Sequence, residues 1–89
     1  MQANYRHVPT AEIARRVERA AAESADVTVE LIGDWGVHWE ADAYDFTEAG
    51  LAAALSSVDD AGGPWLHVDV GDVATSYFVE GGIAYEVPS

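Results

Sequence analysis

The sequence contains no cysteine and no lysine, and its four basic residues are arginines that all lie within the first 19 positions. The absence of thiols excludes disulfides, thiolate metal sites and cysteine nucleophiles, so an apolar core must hold the fold. Long hydrophobic runs are also missing. No run approaches the roughly 20 residues of a membrane span, and the first residues show no apolar signal-peptide segment. We therefore expect a soluble, cytoplasmic protein that does not bind membranes.

Acidic residues dominate the charge of the chain. Of 16 acidic residues, only Glu12 and Glu18 precede Ala20, so the remaining 14 lie in a stretch without arginine or lysine, and the net charge is −12. Direct nucleic-acid binding needs the opposite sign and is not expected. Two explanations of the acidity stay open: a high-salt habitat, where self-repulsion is screened, or a partner protein with a basic surface.

What is present fits one small globular domain. The chain has 89 residues, of which 49% are hydrophobic, and nine of these are aromatic, a composition typical of a folded core. We expect a single α+β domain over residues 1–89, with residues 1–9 as an irregular N-terminal arm. The predicted architecture is an antiparallel sheet of about five strands with two helices on one face, in the order α-β-β-α-β-β-β.

Hydrophobic periodicity and capping signals place these elements. Thr10 is a good N-cap for a helix that runs to about residue 24, with i,i+4 pairs Glu12–Arg16 and Arg19–Glu23. Asp45 and Glu48 form a capping-box pattern for a second helix over about 46–57. Alternation and β-branched residues predict strands over 27–32, 37–41, 65–70, 73–80 and 83–87. An unprotected edge strand would permit a homodimer.

Alternation along the strands also predicts which side chains share a face. Trp35, Val37, Trp39 and Ala41 would share the core face of their strand, and Tyr77 and Tyr85 would pack in the core. Two tryptophans could instead be exposed: Trp35, because it sits in a predicted turn, and Trp65, because it would lie opposite to Leu66 and Val68.

One constellation could bind a metal ion. His38 and Glu40 share a face of one predicted strand, and His67 and Asp69 share a face of another. If those strands are neighbours, the four groups would form a two-histidine, two-carboxylate site suited to zinc, iron or manganese. The alternative is a solvated sheet face, which such short patterns produce by chance; we therefore expect no cofactor.

The chain carries no recognisable catalytic motif. It lacks a nucleophile elbow, a phosphate-binding glycine loop and a calcium-loop pattern, so we do not expect an enzyme.

Size, charge and the absence of catalytic motifs together predict a protein-binding domain, in particular an inhibitor that occupies a basic surface of a larger partner. A nucleic-acid-binding protein is one kind of partner with such a surface. Anti-CRISPR proteins, DNA mimics and toxin-immunity proteins are of this size and charge. Trp35 and Tyr44 would anchor the contact, because tryptophan and tyrosine dominate the energy of protein interfaces. The expected contact residues are Asp34, Trp35, Glu40, Asp42, Tyr44, Asp45, Glu48, Asp59 and Asp60. The alternatives are a salt-adapted accessory or regulatory module with a non-acidic interaction patch, and a small metalloprotein.

Overall fold

The structure is a computed structural model that describes residues 5–24 and 26–86. Within these residues, six strands, two α-helices and one 3-10 turn follow one another. They are β1 (Arg6–Val8), α1 (Thr10–Glu23), β2 (Val27–Gly33), β3 (Gly36–Asp42), α2 (Glu48–Ser57), the 3-10 turn (Asp60–Gly62), β4 (Trp65–Val70), β5 (Val73–Glu80) and β6 (Ile83–Glu86). The predicted α+β class is confirmed, and the strand count is six rather than about five.

The additional strand lies in the segment that was expected to be an irregular arm. β1 pairs antiparallel with β6, so that Arg6 lies opposite Glu86 and His7 opposite Tyr85, and Val8 is only 1% exposed. A three-residue strand is too short for alternation to reveal it, because its pairing is set by a partner that lies 80 residues further along the chain. Residues 1–4 of the expected arm, and the predicted end of the last strand at residue 87, lie outside the described residues.

All strands belong to one antiparallel sheet in the order β1-β6-β5-β4-β2-β3. The β2–β3 hairpin is therefore joined to the β4–β5–β6 meander through β2, with Leu31 opposite Leu66 and Val29 opposite Val68. β3 forms one edge of the sheet and β1 the other.

Both helices cover the same face of this sheet, as predicted. Apolar residues of α1 and α2 pack together with the alternate residues of the strands that point towards them, because burying these faces is what stabilises a two-layer domain. The opposite face of the sheet carries no helix of the described chain. The buried core consists of Val8, Ile13, Val17, Val27, Val29, Leu31, Leu51, Ala54, Leu55, Leu66, Val68, Tyr77, Val79 and Ala84.

The predicted caps of the helices are wrong in detail. Helix α1 already includes Thr10, and its N-cap is Pro9, which makes no side-chain cap hydrogen bond. Helix α2 is capped by Thr47, whose hydroxyl accepts a hydrogen bond of 3.0 Å from the backbone N–H of Gly50. The Asp45 capping box does not form, because α2 begins at Glu48 and a capping residue must directly precede its helix.

A β-bulge changes which side of β3 faces the core. Leu31 pairs with Trp39 but Ile32 pairs with Val37, so His38 has no partner on β2. An extra residue of this kind resets the alternation of the strand. As a result Val37 is 55% exposed and lies on the face opposite to the helices with its partner Ile32, whereas Trp39 packs against the core. The predicted core position of Val37 is therefore wrong.

Candidate functional site

All nine residues predicted to contact a partner have solvent-exposed side chains. They fall into two groups at opposite ends of β3. One group lies around the β2–β3 turn and the 3-10 turn, which are joined by a 2.9 Å hydrogen bond from the Asp34 N–H to the Gly62 carbonyl. The other group lies at the end of β3 and in the connection to α2. The first group is Asp34, Trp35, Asp59 and Asp60, and the second is Glu40, Asp42, Tyr44, Asp45 and Glu48.

The second group contains a cavity of about 280 Å³ at the outer edge of the sheet, and Glu40, Asp42 and Asp45 contribute to its lining together with Thr28 and Ala41. The Asp42 carboxylate is fixed, because it accepts hydrogen bonds from the backbone N–H groups of Tyr44 at 2.8 Å and Asp45 at 2.9 Å. Within the described residues, the carboxylates of Glu40 and Asp45 make no hydrogen bond. Three carboxylates around one opening favour a cationic group.

In the first group, two of the four side chains serve the fold itself. The Asp59 carboxylate accepts a 2.9 Å hydrogen bond from the backbone N–H of Ala61. The Asp60 carboxylate accepts from the backbone N–H of Gly81 at 3.0 and 3.1 Å and so holds the β5–β6 turn. The local roles of Asp59 and Asp60 explain their presence without any partner.

Packing within the chain also accounts in part for the position of the Trp35 side chain. It lies in the β2–β3 turn and is 45% exposed. The sequence left two positions open for it, and the exposed turn is the one observed, whereas the core face is wrong. Its indole ring covers two glycines: a Cβ atom added at Gly62 would come within 1.9 Å of the indole Nε1, and one at Gly33 within 2.7 Å of the ring. Only small residues allow this close approach.

The structure does not bring the four predicted metal ligands together. β2 lies between β3 and β4, and the bulge turns His38 away from Glu40. The His38 Nε2 atom lies 3.1 Å from the Ser57 hydroxyl of α2, on the helix side of the sheet. Among the described residues, no group of three or more histidine, aspartate and glutamate side chains has an arrangement that could hold a metal ion.

The remaining ligand candidates lie on the face without helices. Glu40 is opposite Glu30, which is in turn opposite His67, and the His67 Nδ1 atom lies 2.8 Å from the Ser76 hydroxyl. In the next row, Asp69 is opposite Thr28. Neighbouring glutamates of like charge repel each other across strands, which a bound cationic group would relieve.

Sequence reasoning missed an apolar row on this same face. Tyr77 is buried as predicted, at 2% exposure, but Tyr85 lies on the uncovered face, where its ring is 6.1 Å from that of Phe78. The ring of Trp65, predicted to lie opposite to the core, is 5.8 Å from Phe78 on the other side. One sequence feature could have revealed this row. Where two consecutive strand residues are both apolar, as Trp65 and Leu66 are, apolar side chains must lie on both faces of the strand.

Arg6 of β1 and Arg16 of α1 form ion pairs and hydrogen bonds with other residues of the chain. Arg6 donates through Nε to Glu86 at 2.7 Å, and Arg16 donates to Glu86 at 3.2 Å, to the Tyr77 hydroxyl at 3.0 Å and to Glu12. The predicted Glu12–Arg16 pair is therefore confirmed. The hydrogen bond with Tyr77 is the main cause that raises the pKa of Arg16. The hydrogen bond from Arg6, and then that from Arg16, hold the pKa of Glu86 below its ordinary value.

Outside this cluster the negative charge is not compensated by close ion pairs. Every ion pair found within residues 5–24 and 26–86 involves Arg6 or Arg16. The predicted Arg19–Glu23 pair does not form there, and Arg15 is exposed on α1. The uncovered sheet face and the edge at β3 therefore keep a negative potential.

Comparison with protein-family models, curated proteins and solved structures finds no match to this chain. Within the described part of the chain, neither helix combines the length and the apolar character needed to cross a membrane.

Proposed function

We propose that this chain is a protein-binding domain that docks on a basic surface of a larger partner and acts as an inhibitor, in the manner of anti-CRISPR, DNA-mimic or toxin-immunity proteins. The observation that carries the proposal is the cavity at the β3 edge, to which Glu40, Asp42 and Asp45 contribute three carboxylates. It lies on a surface without a close ion pair in the described chain.

The chemistry of this cavity suits a lysine or arginine side chain of a partner. Asp42 is held in place by backbone hydrogen bonds, so one carboxylate is preorganised, and binding does not have to order it. Glu40 and Asp45 supply negative charge beside it. Complementary charges of this kind mainly raise the rate of association and define the partner, and their effect falls with salt.

An aromatic side chain stands next to the cavity. Tyr44 is 84% exposed and lies in the connection between β3 and α2, directly before Asp45. No packing within the described residues explains such an exposed ring. Tyrosine is one of the residues that most often dominates the energy of protein interfaces, so Tyr44 would pack on the partner beside the lysine or arginine that enters the cavity.

A short synthetic peptide of alternating lysine and serine provides a direct test of the cavity. Its affinity is measured by isothermal titration at low salt for the wild-type chain and for a Glu40→Gln/Asp45→Asn double variant. We expect the double variant to bind about tenfold more weakly, since each exposed charge pair contributes up to about 1 kcal/mol.

A Glu18→Gln/Glu80→Gln double variant is the matched control, because it removes the same charge elsewhere. Glu18 is exposed on α1, and Glu80 lies six residues along β5 from Ala74, which is level with the cavity end of the sheet, a distance of about 20 Å. Equal weakening by both double variants would show that only net charge matters. Absence of binding by the wild-type chain would remove the proposed function.

A further inference from the structure

The face of the sheet without helices carries a row of large side chains that is apolar from β3 to β6 and ends at His7 on β1. Strand pairing places one residue of each of the six strands side by side across the whole sheet. Residues directly opposite each other on neighbouring strands point to the same face. From β3 to β1 the row consists of Val37, Ile32, Trp65, Phe78, Tyr85 and His7.

Aromatic contacts make the middle of this row one connected surface. The Phe78 ring is the centre, with Trp65 at 5.8 Å, Tyr85 at 6.1 Å and Tyr5 at 5.7 Å between ring centroids. Trp65 remains 37% exposed and Tyr5 50% exposed. An apolar surface that spans five strands is unusual for a domain that works alone, and such patches mark interaction sites.

Carboxylates lie beside the apolar row on the same face. Glu40 and Glu30 belong to the next row of cross-strand partners, together with His67, and Asp69 belongs to the row after that. Arg6 and Arg16, the arginines with ion pairs in the described chain, point to the helix side, where they meet Glu12 of α1. The apolar row on the uncovered face therefore has Glu30, Glu40 and Asp69 on one side, and Glu80, two residues along β5 from Phe78, on the other.

We propose that this face is the main docking surface for the basic partner, and that it binds a segment in which a large apolar side chain stands next to lysine or arginine. The apolar side chain would pack on Trp65 and Phe78, and the cations would lie over Glu30 and Glu40 in the next row. This inference rests on the proposed function. It adds a surface that holds the partner once the negative charges have attracted it.

Charge complementarity selects this occupant. A second copy of the chain carries the same net charge of −12 and would bring glutamates near glutamates, which costs free energy. A basic segment instead neutralises Glu30 and Glu40, which lie opposite each other in the sheet, while its apolar side chain covers the aromatic row.

Two short peptides of equal positive charge separate the apolar contact from the electrostatic one. In the first, lysines flank a leucine–tryptophan pair, and in the second two serines replace that pair. Both are titrated into the 15N-labelled chain at about 150 mM salt, where exposed charges are largely screened. We expect the apolar peptide to bind at least tenfold more tightly and to shift the amide signals of Trp65, Phe78 and Tyr85.

Substitution of Trp65→Thr tests the row itself, and Val73→Thr is the matched control. Both side chains are exposed on strands of the same sheet, at 37% and 66%, but Val73 lies opposite Val70, which packs on the helix side. Trp65→Thr should raise the dissociation rate of the apolar peptide about tenfold, whereas Val73→Thr should leave it unchanged. Circular dichroism of both variants confirms that the fold is kept.

The outcomes distinguish this inference from the function on which it rests. Equal affinity for the two peptides, with signals shifting only around Glu40 and Asp45, would overturn the docking face and leave the acidic protein-binding domain in place. Absence of binding by both peptides at about 150 mM salt would overturn the docking face, and absence of binding at low salt as well would overturn the function. A concentration-dependent dimer in which the Trp65 and Phe78 signals are protected would assign the face to a second copy and also overturn the inference.

Discussion

Replacement of Glu86 by glutamine should destabilise the domain, although it removes one negative charge from a chain with a net charge of −12. Glu86 is the acceptor at which Arg6 of β1 and Arg16 of α1 meet. Arg6 and Glu86 are also cross-strand partners. The side chain therefore ties the short edge strand β1 to β6 and both of them to α1.

The size of the effect follows from the exposure of the three side chains. Relative exposure is 59% for Arg6, 37% for Arg16 and 28% for Glu86, so each ion pair contributes within the range of about 0.2–1 kcal/mol that is typical of surface pairs. Loss of both pairs should lower the free energy of unfolding by about 1 kcal/mol. For a domain of this size, that corresponds to a fall in Tm of about 4–8 °C.

The dependence on pH gives a sharper test. Because the hydrogen bonds from Arg6 and Arg16 hold the pKa of Glu86 below its ordinary value, its contribution to stability is complete above the ordinary glutamate pKa. It is lost as the pH falls through the lowered pKa of the folded state. The wild type and Glu86→Gln should therefore differ in urea unfolding at pH 7 and converge in acid.

Glu18→Gln is the control for this experiment. Glu18 is exposed on α1 and makes no ion pair with the described residues, so its neutralisation should leave stability unchanged or raise it by relieving repulsion. Equal effects of the two substitutions at pH 7, or a difference that persists in strong acid, would refute the role assigned to the cluster.

Three further perturbations test other features of the structure. Thr47→Ala should destabilise the domain by about 1 kcal/mol in urea unfolding through loss of the α2 cap, whereas Asp45→Ala should have a much smaller effect; the reverse ranking would restore the capping box predicted from sequence. Gly62→Ala should displace the Trp35 indole and lower the free energy of unfolding by about 1–3 kcal/mol through overpacking. We expect a changed tryptophan emission and a lower Tm, and unchanged emission would mean that the indole does not lie on Gly62. Thermal unfolding followed by circular dichroism should show a folded chain in dilute buffer whose Tm rises in molar potassium chloride, because salt screens the self-repulsion of a net charge of −12; a chain that folds only in molar salt would assign the acidity to a high-salt habitat instead.

Local pattern was enough to predict most of the elements. β4 and β5 have the predicted bounds, and α1 ends within one residue of its predicted end, because β-branched alternation, helical spacing and glycine turns act over a few residues. The cap of α2 was less predictable. Asp45 and Thr47 are both good capping residues, and local pattern does not choose between them; in the structure the backbone N–H of Asp45 is held by Asp42 in the connection, and Thr47 caps the helix.

For the candidate surfaces too, some features follow from the sequence and others only from the tertiary structure. The sequence alone determined the excess of negative charge and the α+β class, because these follow from composition and from alternation within one segment. Only the tertiary structure decided which acids surround one cavity, that β2 separates His38 and Glu40 from His67, and that an apolar row crosses the five strands from β3 to β6 in the sheet. Those features depend on strand order, on register and on one bulge, which are set by contacts between residues far apart in the chain.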